Sequence, residues 1–92
     1  MKCKRYIEIE CRGGIYSDVK EIVEFLNDYT DIKNNFSFEI CNIYYGTIKG
    51  IAISKSKEGM LKFIKNITNK FSNNYRFDFN CTKKEIIVRK DH

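Results

Sequence analysis

Phe36-Ser37-Phe38-Glu39-Ile40-Cys41-Asn42-Ile43-Tyr44-Tyr45-Gly46-Thr47-Ile48-Lys49-Gly50-Ile51-Ala52-Ile53-Ser54 is the stretch that decides the fold. Phe36, Phe38 and Ile40 alternate with polar residues, the period of a strand with one buried face. At Cys41-Asn42-Ile43-Tyr44-Tyr45 the alternation blurs. Either a bulge shifts the register there or both faces are covered. Gly46 punctuates a turn into residues 47–54, a third strand carrying Ile51 and Ile53.

The pattern changes on either side of this pair. Upstream, Cys3, Arg5, Ile7, Ile9 and Cys11 alternate with Lys4, Tyr6, Glu8 and Glu10, which reads as a first strand ended by Gly13-Gly14. Asp18 with Glu21 three residues on reads as a capping box. Ile15, Val19, Ile22, Val23, Leu26 and Tyr29 then run at helical spacing to Asn34-Asn35. Downstream, Ser56 with Glu58 starts a second helix whose stripe is Met60, Phe63, Ile64, Ile67 and Phe71. Asn73-Asn74 supplies a left-handed stop. Tyr75, Phe77, Phe79 and Cys81 alternate in a fourth strand, and Lys83-Lys84 turns the chain into a fifth over 85–89.

The order β-α-β-β-α-β plus one strand predicts an α+β fold of the ferredoxin-like kind, a sandwich of two helices on one face of an antiparallel sheet. The first and third strands are expected at the centre, the second and fourth beside them, and the extra C-terminal strand at the edge. No linker, repeat or low-complexity stretch divides the chain, so residues 1–92 read as a single domain.

Ile (14), Lys (13) and Asn (9) dominate and Pro and Trp are absent, the bias of an AT-rich coding sequence. This bias dilutes any motif built on Lys or Asn. No apolar run approaches the ~20 residues of a membrane span. No signal-peptide core follows the basic start Met1-Lys2-Cys3-Lys4-Arg5, so a cytoplasmic location is expected.

Several chemistries are disfavoured. Cys3 and Cys11 on one strand stand about 27 Å apart at ~3.3 Å per residue and cannot share an ion. No C-x-x-C pair occurs, and the one histidine is His92. The four cysteines read as small apolar residues held reduced. Glu8 and Glu10 sit at i, i+2, about 6–7 Å apart, within the range of acid–base pairs. Lys4, Tyr6 and Arg12 share their face, which makes it a charge-balanced, solvated strand. No phosphate loop of the G-x-x-x-x-G-K type is present. Neither an enzyme nor a cofactor or metal is expected.

Two surfaces read as binding surfaces. If Ile7, Ile9, Phe36, Phe38, Ile51, Ile53, Phe77 and Phe79 face the helices, the opposite sheet face carries Tyr6, Ile43, Tyr45 and Ile48, a candidate interface core for a protein partner or a homodimer. The charge is also segregated. Residues 16–32 carry Asp18, Glu21, Glu24, Asp28 and Asp31 against Lys20 alone, a net −4, which leaves +9 on the rest of a +5 chain. Lys55, Lys57, Lys62, Lys65 and Lys70, with Arg76, Lys83, Lys84 and Arg89, form a candidate basic patch for nucleic acid or for an acidic protein surface.

Lys49-Gly50-Ile51-Ala52-Ile53 resembles, in degenerate form, the third-strand pattern of RNA-recognition motifs, and Tyr6 stands where that family has a first-strand aromatic. The resemblance implies a sheet face that stacks bases. The two stacking positions here are isoleucines, and the register would turn Ile51 and Ile53 outward and Ala52 and Ser54 inward. In size and composition the chain also resembles the inhibitors that phages and mobile elements use against host defence, anti-CRISPR proteins among them. The expectation is a non-catalytic binding module that docks on or blocks a macromolecular partner. The alternatives are an RNA- or DNA-binding protein using the basic patch and a small-molecule-binding or enzymatic ferredoxin-like dimer.

Overall fold

A computed structural model describes residues 2–11, 16–71 and 75–79. Gly13-Gly14, Ile15, Asn73-Asn74, Cys81, the expected fifth strand, Lys83, Lys84, Arg89 and His92 lie outside the described residues. The expected cap at Asp18 is corrected: the first helix begins at Tyr16, so Asp18 is its third residue and not its N-cap. The elements are β1 (Cys3–Cys11), α1 (Tyr16–Asp28), β2 (Ser37–Tyr44), β3 (Thr47–Ser54), α2 (Lys57–Lys70) and β4 (Tyr75–Asp78). The fold is α+β: an open, four-stranded antiparallel sheet in the order β2-β3-β1-β4, with two helices.

Both helices cover the same sheet face. Ile22 and Leu26 of α1 and Met60, Phe63 and Ile67 of α2, with Phe71 just beyond it, share one buried cluster with Ile7, Ile9 and Cys11 of β1, Ile48 and Ala52 of β3, and Tyr75 of β4. Each fully buried isoleucine here contributes about 1.5–3 kcal/mol by leaving water. Between the helices and the β2 side of the sheet lies an aromatic layer. The Phe63 ring sits 4.6 Å from Phe36, 5.1 Å from Tyr29 and 5.7 Å from Phe38.

This layer settles the register of β3 and corrects one expectation. Ile51 and Ile53 do not face the helices. Ile48, Gly50, Ala52 and Ser54 do, opposite Ile9, Ile7, Arg5 and Cys3 of β1. The physical reason is volume. A β-carbon added at Gly50 would lie 2.6 Å from the Phe38 ring and 2.6 Å from the Glu39 carbonyl oxygen. The Phe38 ring occupies the space that a larger residue on β3 would need, so small residues under large rings make the dense layer. Gly50 is therefore a packing glycine.

The blurred stretch in β2 resolves into a bulge between Ile40 and Asn42. Phe38 and Ile40 keep to the helix side, and beyond the bulge Asn42 and Tyr44 lie on the open face. The β2–β3 turn is a two-residue hairpin closed by Tyr44 and Thr47, and Tyr45 (φ 49°) and Gly46 (φ 77°) both have positive φ. That is the signature of a type I′ turn.

A buried polar knot ties the α1–β2 loop to the start of α2. Asn34 Nδ2 donates to Asp31 Oδ2 (2.9 Å), and Ser56 Oγ donates to Asn34 Oδ1 (2.6 Å). The Lys55 N–H donates to the Asn34 carbonyl (2.6 Å). Ser56 is the N-cap of α2, its Oγ accepting from the Gly59 N–H (3.1 Å). Gly59 is buried against this knot.

Candidate functional site

Among the described residues, the β2–β3 hairpin beside the open sheet face holds three of the five exposed large apolar side chains; the other two, Ile32 and Leu61, lie in the turn after α1 and on α2. Across the open face Ile53 lies opposite Lys4 and Ser37, Ile51 opposite Tyr6 and Glu39, Lys49 opposite Glu8 and Asn42, and Thr47 opposite Glu10 and Tyr44. Asp78 and Arg76 of β4 follow beside Glu8 and Glu10. Side chains directly across a strand pair touch one another, so the face divides into zones. At one end Tyr6, Ile51 and Ile53 form a half-buried apolar island, with the Lys4 ammonium 5.5 Å over the Tyr6 ring. The middle is a belt of both signs, including the pair Arg76–Glu10 at 4.0 Å.

At the other end stands the hairpin tip. Ile43 (46% exposed), Tyr44 (38%) and Tyr45 (89%) are consecutive, and the two tyrosine rings lie 4.4 Å apart. Tyr45 holds a left-handed backbone, which costs a non-glycine L-residue about 1–2 kcal/mol. Asparagine or glycine would relieve that strain. Beside the tip, Glu8, Glu10, Thr47 and Lys49 line a cleft with the two tyrosines. Lys49 is only 8% exposed, its stem packed in this cleft.

The expected interface core of Tyr6, Ile43, Tyr45 and Ile48 is thus divided. Ile48 is fully buried on the helix side and belongs to the core, a correction that follows from the register of β3. Tyr6 joins Ile51 and Ile53. Ile43 and Tyr45 join Tyr44 at the tip, with Ile43 on the helix side of the edge, opposite Ile48. Tyr44, Ile51 and Ile53 are surface residues that sequence reasoning missed. One signal for them existed: Lys49 shares their side of β3, and a lysine seldom faces a core.

The candidate basic patch is divided as well. Lys55, Lys57, Lys62 and Lys65 are exposed on and just before α2, around the half-exposed Leu61. None has a carboxylate within 4.0 Å among the described residues. Lys70 lies apart, its ammonium 5.9 Å from the Phe25 and Phe71 rings. Arg76 is on the opposite side of the molecule, on the open face.

The register that the RNA-recognition resemblance implies is present, with Ile51 and Ile53 outward. The open face nevertheless carries Glu8, Glu10, Glu39 and Asp78 against Lys4, Lys49 and Arg76, a balance that does not draw phosphate. Gly50 answers to the Phe38 ring and not to a base.

Cys11 is buried, and Cys3 and Cys41 are half-buried; all three are free thiols. No three His, Cys, Asp or Glu side chains converge as metal ligands among the described residues. No helix among them is long and apolar enough to cross a membrane. The hydrogen bond from the Asn34 side chain holds the Asp31 carboxyl below its ordinary 3.8, against the opposing effect of desolvation. Its partners belong to the structural knot. No known protein family, curated protein or solved structure matches this chain.

Proposed function

We propose that this chain is a non-catalytic binding module of ferredoxin-like topology that docks on a protein partner through the β2–β3 hairpin tip. The observation that carries the reading is the run Ile43-Tyr44-Tyr45, three consecutive exposed large side chains, one of them in a strained backbone. Strain held at an exposed position is a mark of use. Tyrosine anchors supply large contact area at low conformational cost and are enriched among the residues that dominate binding energy. The topology is supported by the order β2-β3-β1-β4 and by the two helices that follow β1 and β3 on one face. The non-catalytic part rests on the sequence, whose one histidine is His92 and which carries no nucleophile motif. Occlusion of the partner, as by the phage inhibitors the chain resembles in size, is the role we assign to the docked module.

The test is affinity capture from nuclease-treated extract with the wild type and with the Ile43→Ser/Tyr45→Ser variant. A stoichiometric protein retained by the wild type and lost by the variant supports the reading. A second copy of this chain as the retained protein makes the tip a dimer contact. Capture that is indifferent to both substitutions refutes the reading.

A second reading, nucleic-acid binding along α2, is favoured by the four exposed lysines, none of which has a carboxylate within 4.0 Å among the described residues. Four neutralised phosphates give a salt slope of about −3.6, hence a loss of roughly 10²-fold in affinity between 50 and 200 mM salt. Fluorescence anisotropy with labelled RNA and DNA reads this directly. Absence of binding at 50 mM salt rejects it.

A further inference from the structure

The acidic bias of residues 16–32 is not used by the hairpin tip. It is concentrated beside a groove of about 460 Å³ between α1 and the end of α2, within the roughly 300–1,000 Å³ of ligand clefts. Phe25 and Tyr29 supply aromatic surface, half-buried, with centroids 5.7 Å apart. Phe25 is fixed from beneath by an edge contact to Phe71 at 5.4 Å. Exposed Glu21, Glu24 and Asp28 stand along the same wall, at i, i+3 and i+7 on one side of α1. None of the three has a cation within 4.0 Å among the described residues.

Lys70 shows what the groove accepts. Its ammonium lies 5.9 Å from the Phe25 centroid, the geometry of a cation over a ring. A tethered lysine thus rests where an incoming cation would sit. We propose that this groove is a second docking site, and that its occupant is a basic, arginine-rich peptide segment of a partner. Guanidinium groups stack on aromatic faces and pair with carboxylates in the same step, so they match a wall of three carboxylates beside two rings. The whole chain carries +5 and repels a polycation at long range. Binding of such a peptide must therefore come from a local negative surface.

The test titrates the isotope-labelled full chain with an (Arg-Gly)5 peptide and with its (Glu-Gly)5 counterpart at 50 mM salt, following amide shifts and anisotropy. Saturable binding of the arginine peptide alone is expected, with shifts clustered at residues 21–30 and 66–71. Reversal of the exposed acids (Glu21→Lys, Glu24→Lys, Asp28→Lys) should weaken it at least tenfold at unchanged circular dichroism. Lys70→Glu, which withdraws the competing cation and adds a carboxylate, should tighten it several-fold. The Ile43→Ser/Tyr45→Ser variant should bind the peptide as the wild type does, which keeps this site separable from the hairpin tip. No saturable binding at 50 mM salt, binding that survives the triple reversal, or weaker binding by Lys70→Glu overturns the proposal.

Discussion

Replacing Gly59 with alanine would ordinarily stabilise a helix, and in this protein it should do the opposite. Gly59 is the third residue of α2, where removing glycine gains up to about 1 kcal/mol in intrinsic propensity. Its β-carbon, however, would meet Ser54 Oγ, and it would lie 2.5 Å from Asn34 Cβ and 2.7 Å from Asn34 Cγ. Asn34 cannot yield cheaply. Its side chain is held by Asp31 and Ser56, and its carbonyl accepts from the Lys55 N–H. Forcing a methyl group against three atoms of a filled site falls in the upper part of the overpacking range, roughly 2–3 kcal/mol. Set against the propensity gain, Gly59→Ala should lose about 1–2 kcal/mol. For a domain of this length that lowers Tm by roughly 5–15 °C. Urea and thermal unfolding followed by circular dichroism measure it. Ser54→Ala removes the nearest clashing atom, so the double variant Ser54→Ala/Gly59→Ala should be less destabilised than the sum of the singles by more than about 0.5 kcal/mol. A neutral or stabilised Gly59→Ala would refute the claim that the knot is rigid and packed against this glycine.

Three further outcomes follow from the same geometry. Tyr45→Asn should stabilise the hairpin by about 1 kcal/mol, because asparagine tolerates the left-handed backbone better than tyrosine does; a loss of stability in urea melts would show that Tyr45 is not strained. Ile48→Lys should unfold the chain, since it places an unpaired charge in the core, whereas Ile51→Lys on the open face should cost about 1 kcal/mol or less; the reverse ranking would restore the opposite register of β3. Asp31 has its folded pKa below the ordinary 3.8, so its ionised form contributes stability that is fully present above that value and is lost as pH falls through the lower, folded one. Stability below about pH 4 should therefore fall more steeply for the wild type than for Asp31→Asn, and equal slopes in acid titrations would contradict the assignment.

The helices were legible because their apolar stripes are long and regular. Val19, Ile22, Val23, Leu26 and Tyr29 on one and Met60, Phe63, Ile64, Ile67 and Phe71 on the other all join or border the core. Ser56 caps α2 as its position suggested. The face of β3 was not legible by alternation alone. One side offers Ile48, Gly50, Ala52 and Ser54, the other Thr47, Lys49, Ile51 and Ile53, and counting large apolar residues picks the wrong side. The choice is made by Phe36, Phe38 and Phe63, whose rings fill the layer above β3 and leave room only for small residues. Such volume matching between distant segments has no local signature. The same slip displaced the candidate interface, because a one-residue change of register moves every side chain to the other face. Tyr45 and Ile43 are exposed all the same, because the turn and the bulge govern their exposure and strand alternation does not, although Ile43 stands on the helix side and not on the expected open face. The basic patch was drawn from charge count along the chain, and strand pairing with β1 carries Arg76 to the far side of the sheet.

The most direct test of docking through the hairpin tip is site-specific photocrosslinking in the cells that make the protein, with a benzophenone side chain at position 45 in one variant and at position 65 in another. Docking through the tip predicts one discrete adduct from position 45 that is protease-sensitive and nuclease-resistant, with none from position 65. Adducts from position 65 alone, sensitive to nuclease, would contradict it and move the functional surface to α2.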